Sequence, residues 1–516
     1  MSHTVTLSDT VVEDLALPEI APYFLPSEIS RDPAALKGWL SAWLTADPAE
    51  IARRASIILA LTRCPAAQAV LKRQPEALQT VRRLMRERGK GFLGCAASLK
   101  LLRLILAEMQ ALAALQGQDA ALDTLLAPVC GLVSSPAYAA AREQLAQAEA
   151  VYQPLETITM GVNMLEDGSS IKLFLMDLNR DTAPCRGVFE ADAKAPDALF
   201  SPIPLRDRGP LSQLEVTIRS HAEHVQSRML SRTAAALSPF PEAPVQAWMD
   251  WCETLPPILA GLNLALALQT RGLRLCRPVC DTGGLRAEAL YSVELTLRAP
   301  GLPVPCDAEI RRGSFTLVTG VNHSGKTTFL KALAHAQLLG QLGFPLPAGA
   351  FSFVPARHLF TLFSRGEQED VSRFEREAQD LQRILRDADA DSVVWFNEPF
   401  TSTAASDART LLLDAFSRLT DRGTASYAVT HLYELYEPLA ERYGARLASF
   451  ATESRLDADG VHCGYRLERK APDARRYARQ IAESFGLSAR QLLPDPQKLA
   501  QVEAFLDAQK EGTACL

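Results

Sequence analysis

The sequence predicts an α/β domain of the P-loop NTPase type in the C-terminal half, preceded by a mainly α-helical region with one β-hairpin. Three observations support this fold class. From about Ala34 to Ala150, apolar residues recur at helical spacing among Ala, Leu, Gln and Arg. Beyond Leu275, short apolar runs alternate with helical patterns, which is typical of α/β domains. Within that second region, residues 320–327 have the spacing of a phosphate-binding loop.

Four segments follow along the chain, with boundaries where the pattern changes. The predicted segments are a helical array at residues 1–155, a β-hairpin with long helices at 156–274, the P-loop ATPase domain at 275–495 and a C-terminal tail at 496–516. The hairpin is predicted at Thr157 to Leu178, because two strand-like runs flank Glu166-Asp167-Gly168.

Length, composition and charge restrict the class of protein. The chain has 516 residues, of which 47% are hydrophobic, enough for two to four domains with buried cores. A net charge of -6 excludes a protein that coats nucleic acid over its whole surface, so any DNA contact must be regional. The N-terminus lacks a secretory pattern, and the longest apolar runs are too short or too charged to cross a bilayer. The ten cysteines are scattered without zinc-site spacing, so we expect a cytoplasmic protein with reduced thiols and no membrane contact.

A basic run lies inside the predicted helical array, between Lys72 and Arg103. It holds nine Lys and Arg residues against two Glu. Two interpretations stay open: a solvated helix face, or a surface that meets a nucleic-acid backbone. The candidate DNA contacts are Arg82, Arg83, Arg86, Arg88 and Lys90.

The stretch TLVTGVNHSGKTTFLKALAHA, residues 316–336, is the most specific motif of the chain, with a predicted strand before the loop and a helix after it. Its glycines let backbone N–H groups turn toward a β-phosphate, and the helix N-terminus adds a favourable dipole. Lys326 is predicted to pair with the β- and γ-phosphates of ATP, and the Thr327 hydroxyl to ligate Mg²⁺. The predicted nucleotide-binding residues are Gly320, Asn322, Ser324, Gly325, Lys326, Thr327 and Thr328.

Two further strand ends supply groups that ATP hydrolysis needs. DSVVWFNEPF predicts an apolar strand ending at Asn397-Glu398, where Glu398 is the candidate general base and a candidate outer-shell residue for Mg²⁺. Asn397 stands where such strands usually carry Asp, which predicts a weaker outer-shell hold on Mg²⁺ and slow turnover. A third strand, in AVTHLYEL, ends at Thr430-His431. His431 is predicted to sense the γ-phosphate, the alternative being a capping or core histidine.

Together these motifs resemble the ATPase domain of the MutS family, the DNA mismatch-repair proteins and their relatives. THLYEL is similar to the family's Thr-His-x-x-Glu-Leu, and SRFEREAQDLQRILRDADADSVVWFNE is similar to its Ser-Thr-Phe-x-x-Glu signature, the following helix and the Walker B strand. The resemblance covers about residues 275–493 and is weak over the helical half. The signature positions in register are Ser372, Phe374, Glu377, Ile384, Leu385 and Glu398. Pro399-Phe400 replaces the family's Gly-Arg-Gly.

The resemblance implies a MutS/ABC-like fold and an ATP-gated mechanism. In the family two ATPase domains face each other, so we expect a homodimer in which Ser372 completes the partner's site in trans. Lys326, Ser372 and His431 would neutralise phosphate charge. Glu398 would orient water, and the cycle would move helical levers on DNA. Because little chain precedes the helical array, we expect recognition of DNA structure and not of mismatches.

Two other interpretations remain open. The first is a nucleotide-dependent scaffold that grips a protein partner without DNA, which suits the acidic net charge. The second is an ABC-type chromosome-associated ATPase, although such proteins carry Leu-Ser-Gly-Gly before Walker B where this chain has DVSRFEREAQ.

Overall fold

A computed structural model describes residues 4–88, 92–151, 157–164, 171–179, 235–238, 240–320, 324–364, 373–457 and 460–472. The chain forms two compact units. Residues 1–64 and 256–516 make up the first unit, and residues 65–255 the second. Within the described part of the chain, no single helix is long and apolar enough to cross a membrane; two bent helix pairs pass that test only when taken together.

The strands are numbered in chain order. They are Thr6–Leu7 (β1), Thr157–Met164 (β2), Ile171–Asn179 (β3), Val279–Cys280 (β4), Gly284–Leu290 (β5), Cys306–Arg311 (β6), Phe315–Thr319 (β7), Ala350–Phe353 (β8), His358–Phe363 (β9), Ser392–Asn397 (β10), Ala425–Val429 (β11), Leu447–Asp457 (β12) and Gly460–Arg469 (β13).

The helices are numbered in the same way. They are Val11–Asp14 (α1), Leu17–Ile20 (α2), Ser27–Ser30 (α3), Pro33–Trp43 (α4), Pro48–Arg63 (α5), Pro65–Lys72 (α6), Gln74–Glu87 (α7), Phe92–Ala113 (α8), Ala120–Val133 (α9), Pro136–Val151 (α10), Glu242–Cys252 (α11), Pro256–Gln269 (α12), Val293–Arg298 (α13), Lys326–Gln341 (α14), Arg373–Asp387 (α15), Ala405–Asp421 (α16) and Tyr436–Tyr443 (α17).

A seven-stranded sheet forms the centre of the first unit, in the order β1-β9-β10-β11-β7-β12-β13. All neighbours are parallel except β12 and β13. Continuous apolar runs such as Phe315–Thr319 suit these strands, because both faces of a parallel sheet are covered. The register aligns Asn397 with Val429, and Val429 with Val318. The carboxyl ends of β7, β10 and β11 therefore lie at one edge, where ligands bind in sheets of this kind.

A smaller four-stranded sheet, in the order β4-β8-β5-β6, belongs to the same unit. Helix α12 packs on α5 with very little space between them. A Cβ added at Gly261 would lie 2.4 Å from Ile58 Cδ1 and 2.8 Å from Phe344 Cδ1, so a larger residue would displace these side chains.

The N-terminal segment is part of this first unit. Strand β1 pairs in parallel with β9, with Thr6 opposite His358, and the Ser8 N–H donates to Leu359 O at 2.9 Å. Asp47 caps helix α5, which has Pro48 at its first position. The structure thus divides the predicted array of residues 1–155 at Cys64. Helical periodicity reports that a helix has a buried face but not which neighbour buries it.

The second unit is helical and includes the β2–β3 pair. Trp251 Nε1 donates to Leu125 O at 2.9 Å, and the buried Glu108 carboxylate accepts from Arg73 and Gln74 at 2.9 and 2.6 Å. The two antiparallel strands occupy the region of the predicted hairpin, with Met164 opposite Ile171. Its predicted turn and the predicted tail at 496–516 lie outside the described residues.

Candidate nucleotide-binding site

The phosphate-loop motif lies between β7 and α14, as its spacing predicts. Gly320 has a φ of 147°, and a Cβ there would lie 2.2 Å from Thr452 Oγ1. Gly325 caps helix α14 with a φ of 92°. Both positions therefore require glycine, because L residues rarely adopt this backbone conformation. Ser324 is buried beside the helix start, whereas Asn322 lies outside the described residues.

Lys326 is buried at the first position of α14, with 4% of its surface exposed. Its Nζ donates to the Gly320 carbonyl oxygen at 3.0 Å. The Tyr433 hydroxyl donates to the same oxygen at 3.3 Å, and so ties the segment after His431 to the start of the loop. A buried ammonium beside a helix N-terminus favours an anionic ligand.

Thr327 and Asn397 come together although they are 70 residues apart in sequence. The Thr327 hydroxyl donates to Asn397 Oδ1 at 2.9 Å. Both side chains offer hard, uncharged oxygens, the type of ligand that Mg²⁺ accepts when substrate phosphates and water fill the other positions. The described residues contain no cluster of three or more His, Cys, Asp or Glu that could hold a metal unaided. The donor set therefore fits Mg²⁺ bound together with a nucleotide.

The side chains of Glu398 and His431 contact each other at the same edge of the sheet. His431 Nε2 lies 2.8 Å from Glu398 Oε1, with 37% and 31% of the two side chains exposed. The Glu398 N–H donates to Val429 O at 2.9 Å, and its φ is +51°. A left-handed backbone costs a residue with a side chain roughly 1 kcal/mol, which neighbouring contacts must offset. His431 is thus neither a core residue nor a helix cap, and it contacts the predicted general base.

The signature helix α15 begins at Arg373, directly after Ser372, which lies outside the described residues. The Phe374 ring lies 5.6 Å from that of Phe400, centroid to centroid. Glu377 is buried and accepts a hydrogen bond from the Phe400 N–H. The segment after Glu398 is therefore attached to α15, a contact that the sequence analysis did not predict.

A cavity of about 770 Å³ lies between the start of α14 and the Glu398 and His431 side chains. It is lined by the helix start from Ser324 to Phe329, by Glu398 and by His431. Its outer wall is apolar and exposed, and includes Leu302, Val304 and Tyr465. This wall was not predicted, because isolated apolar residues in loops carry no periodic pattern.

Cys306 also lines the cavity, but its chemistry is that of a core residue. Burial raises the pKa of this thiol to about 12. The thiol is therefore protonated at neutral pH and does not act as a nucleophile there.

The candidate DNA contacts lie in the second unit and differ in their surroundings. Arg82 pairs with Glu253 at 2.5 Å, and Arg88 pairs with Glu242 and lies over the Phe240 ring. Such surface pairs contribute roughly 0.2–1 kcal/mol each. Arg83 and Arg86 are exposed, and Lys90 lies outside the described residues. Arg82 and Arg88 thus fit the solvated-face interpretation better than a phosphate contact.

Comparison with known proteins supports the resemblance. Residues 316–503 match the family model of MutS domain V. The DNA mismatch repair protein MutS of Natronomonas pharaonis is 30% identical over 243 residues, which are 44% of this chain and 27% of that protein. Endonuclease MutS2 of Gemmatimonas aurantiaca is 30% identical over 227 residues, 43% of this chain and 26% of its own length. The human MutS protein homolog 4 is 25% identical over 189 residues, 35% of this chain and 20% of its own length.

The chain thus spans between a fifth and just over a quarter of these relatives. The matched region contains the phosphate loop, both further strand ends and the signature helix. The match of these motifs to MutS domain V also argues against the alternative of an ABC-type chromosome-associated ATPase. Residues 316–503 of the chain are therefore similar to domain V of the MutS family.

Proposed function

We propose that the chain is a cytoplasmic ATP-binding protein that works as an ATP-gated dimer with slow ATPase activity and contacts DNA in a repair or recombination process. One observation carries this proposal: the start of α14, Glu398 and His431 line one cavity, and Thr327 Oγ1 lies 2.9 Å from Asn397 Oδ1. The names of the similar proteins, a DNA mismatch repair protein and an endonuclease, favour DNA as the partner. The six cysteines whose side chains the structure describes are free thiols, which a reducing compartment would maintain.

ATP binding is the first step of the proposed cycle. Lys326 exchanges its bond with the Gly320 carbonyl for the β- and γ-phosphate oxygens. The backbone at Ser324, Gly325 and Thr328 supplies N–H groups at the helix N-terminus. Thr327 would hold Mg²⁺ directly, with Asn397 and Glu398 in the outer shell. When bound, Mg²⁺ supplies charge neutralisation on the phosphates.

Hydrolysis in this proposal depends on the Glu398–His431 pair. Glu398 orients the attacking water, and His431 neutralises charge that develops on the γ-phosphate. Both groups start from a mutual contact of 2.8 Å, so ATP must compete with Glu398 for His431. This competition, together with the uncharged Asn397, favours slow turnover.

Dimerisation in this proposal comes from Ser372. The next residue, Arg373, donates through Nη2 to Thr401 Oγ1 at 2.6 Å, in the segment that follows Glu398. The start of α15 therefore lies on the catalytic side of the sheet, which supports a serine that reaches the partner's γ-phosphate.

The decisive experiment is sedimentation of the purified chain with Mg²⁺ alone, with Mg²⁺ and ADP, and with Mg²⁺ and ATP. We expect a dimer only with ATP, because only the γ-phosphate gives Ser372 of the second copy a ligand. A monomer under all three conditions, or a dimer that forms without nucleotide, would contradict the proposal.

We expect Asn397→Asp to tighten Mg²⁺ binding by about tenfold in the presence of ATP, because a carboxylate places negative charge beside Thr327. A Mg²⁺ titration of fluorescent-ATP binding measures the change. Asn263→Asp adds the same charge at an exposed position of α12 and serves as the control. Equal Mg²⁺ affinity in both variants would mean that Asn397 is not in the outer shell.

A second candidate is a nucleotide-dependent clamp that grips a protein partner through the helical unit. The pairing of Arg82 with Glu253 and of Arg88 with Glu242 favours it, because carboxylates beside these arginines repel a phosphate backbone.

A salt series separates the two candidates. If the unit contacts DNA, the double variant Arg83→Ala/Arg86→Ala should lower the slope of log affinity against log salt by about two, since each lost phosphate contact removes roughly 0.9. Duplex and branched DNA should both be measured, with Arg418→Ala, an exposed arginine of α16, as the control. A DNA affinity that does not change with salt concentration would mean that the unit makes no phosphate contacts, and it would favour the protein-partner candidate.

A further inference from the structure

The segment that follows Glu398 has an unusual backbone. Glu398 and Phe400 have φ values of +51° and +60°, and neither is a glycine. Two left-handed residues in three positions persist only where surrounding contacts determine the conformation. The contacts that determine this backbone conformation also orient the side chain of Glu398.

The main contact is the side chain of Glu377 on helix α15. Glu377 is 4% exposed, and its two carboxylate oxygens have different donors. Oε2 accepts from the Phe400 N–H, and Oε1 accepts from Arg373 Nε at 3.1 Å. The carboxylate therefore joins the backbone two residues after Glu398 to the first turn of α15.

A second attachment runs in parallel with the first. Arg373 Nη2 donates to Thr401 Oγ1 at 2.6 Å, and Thr401 Oγ1 lies 3.3 Å from Ser364 Oγ. The Ser364 N–H in turn donates to Asn397 O at 3.0 Å. The backbone on both sides of Glu398 is thus fixed by hydrogen bonds that pass through Arg373 and Glu377.

We propose that Glu377 is a positioning residue for Glu398, and that Arg373 assists it. Through the Phe400 N–H, the Glu377 carboxylate keeps Glu398 in the backbone conformation that directs its side chain into the cavity. This inference rests on the proposed ATPase function.

The site requires a carboxylate. Arg373 Nε and the Phe400 N–H each donate to a different oxygen of Glu377, and only a carboxylate accepts at both oxygens. Gln has the same shape but only one acceptor oxygen, so either the Phe400 N–H or Arg373 Nε faces an amide NH₂. Glu377→Gln therefore breaks one of the two attachments without leaving a cavity.

The test compares Glu377→Gln with Asp387→Asn, which removes a charge from the other end of the same helix, where the carboxylate pairs with the exposed Arg386. We expect Glu377→Gln to lower kcat by about tenfold and to leave the Kd for a non-hydrolysable ATP analogue within about twofold. Asp387→Asn should match the wild type in both quantities.

A double variant separates positioning from a general structural role. In Glu398→Gln the group to be positioned is absent, so adding Glu377→Gln should cause no further loss of the residual rate. Arg373→Gln, at a more exposed side chain, should show the same pattern with a loss of about threefold, and it replaces Glu377→Gln if that variant does not fold.

Three results would overturn the inference. The first is an unchanged kcat in both Glu377→Gln and Arg373→Gln, and the second is a loss of nucleotide affinity as large as the loss of kcat. The third is that Glu377→Gln lowers the residual rate of Glu398→Gln by the same factor as it lowers the wild-type rate. A wild-type chain that neither binds nor hydrolyses ATP would instead refute the proposed function.

Discussion

Lys326→Ala is expected to abolish ATP binding and nucleotide-dependent dimerisation together. Lys326 is the buried ammonium at the start of α14, and its Nζ lies 3.0 Å from the Gly320 carbonyl oxygen. Removing it leaves the phosphate charge without its nearest cation. We expect the ATP affinity to fall by at least about 100-fold, which corresponds to roughly 2.8 kcal/mol.

Fluorescent-ATP titration and sedimentation on the same preparations measure both effects. Lys331→Ala is the matched control, since Lys331 lies on the same helix and pairs with Glu294 at 3.4 Å. Unchanged ATP affinity in Lys326→Ala would refute the phosphate-binding role. If Lys326→Ala loses its ATP affinity but still forms a dimer, the two copies associate through a surface other than the nucleotide site.

The second large effect is expected from Glu398→Gln, which should bind ATP normally but hold the dimer in its ATP-bound state. The amide keeps the shape of the side chain and cannot act as a base, so turnover should fall by about 10²–10⁴-fold. The variant also replaces the carboxylate that contacts His431 by an uncharged amide, which leaves His431 more available to the γ-phosphate.

Single-turnover hydrolysis and the lifetime of the dimer after ATP dilution provide the measurements. Glu437→Gln, at an exposed position of α17, controls for the loss of one carboxylate from the same unit. If Glu398→Gln turns over as fast as the wild type, another group orients the water.

Local sequence determined the parts of this site that could be predicted. The phosphate loop is a contiguous motif, so its glycines and Lys326 are recognisable by spacing alone. Asn397 and His431 were predicted because apolar strands end at them, and strand ends of a parallel sheet share one edge. The fold of the ATPase region followed from the same alternation of strands and helices.

The remaining contacts depend on partners far away in sequence. No pattern around Arg82 indicates that Glu253, 171 residues later, pairs with it. The bond between Glu377 and the Phe400 N–H likewise depends on a left-handed turn that no local rule predicts at a phenylalanine. The signature resemblance identified Glu377 as a position in register, but its role became visible only from the two donors that its carboxylate accepts.

The pairing of β1 with β9 has a consequence for how the protein is made. Thr6 and His358 are 352 residues apart, so the N-terminal strand leaves the ribosome long before its neighbour in the sheet exists. At about 5–20 residues per second, it waits for tens of seconds with an unpaired edge. Pairing across such a large sequence separation is intrinsically slow. Completion of the ATPase sheet is therefore expected to be a late event in synthesis.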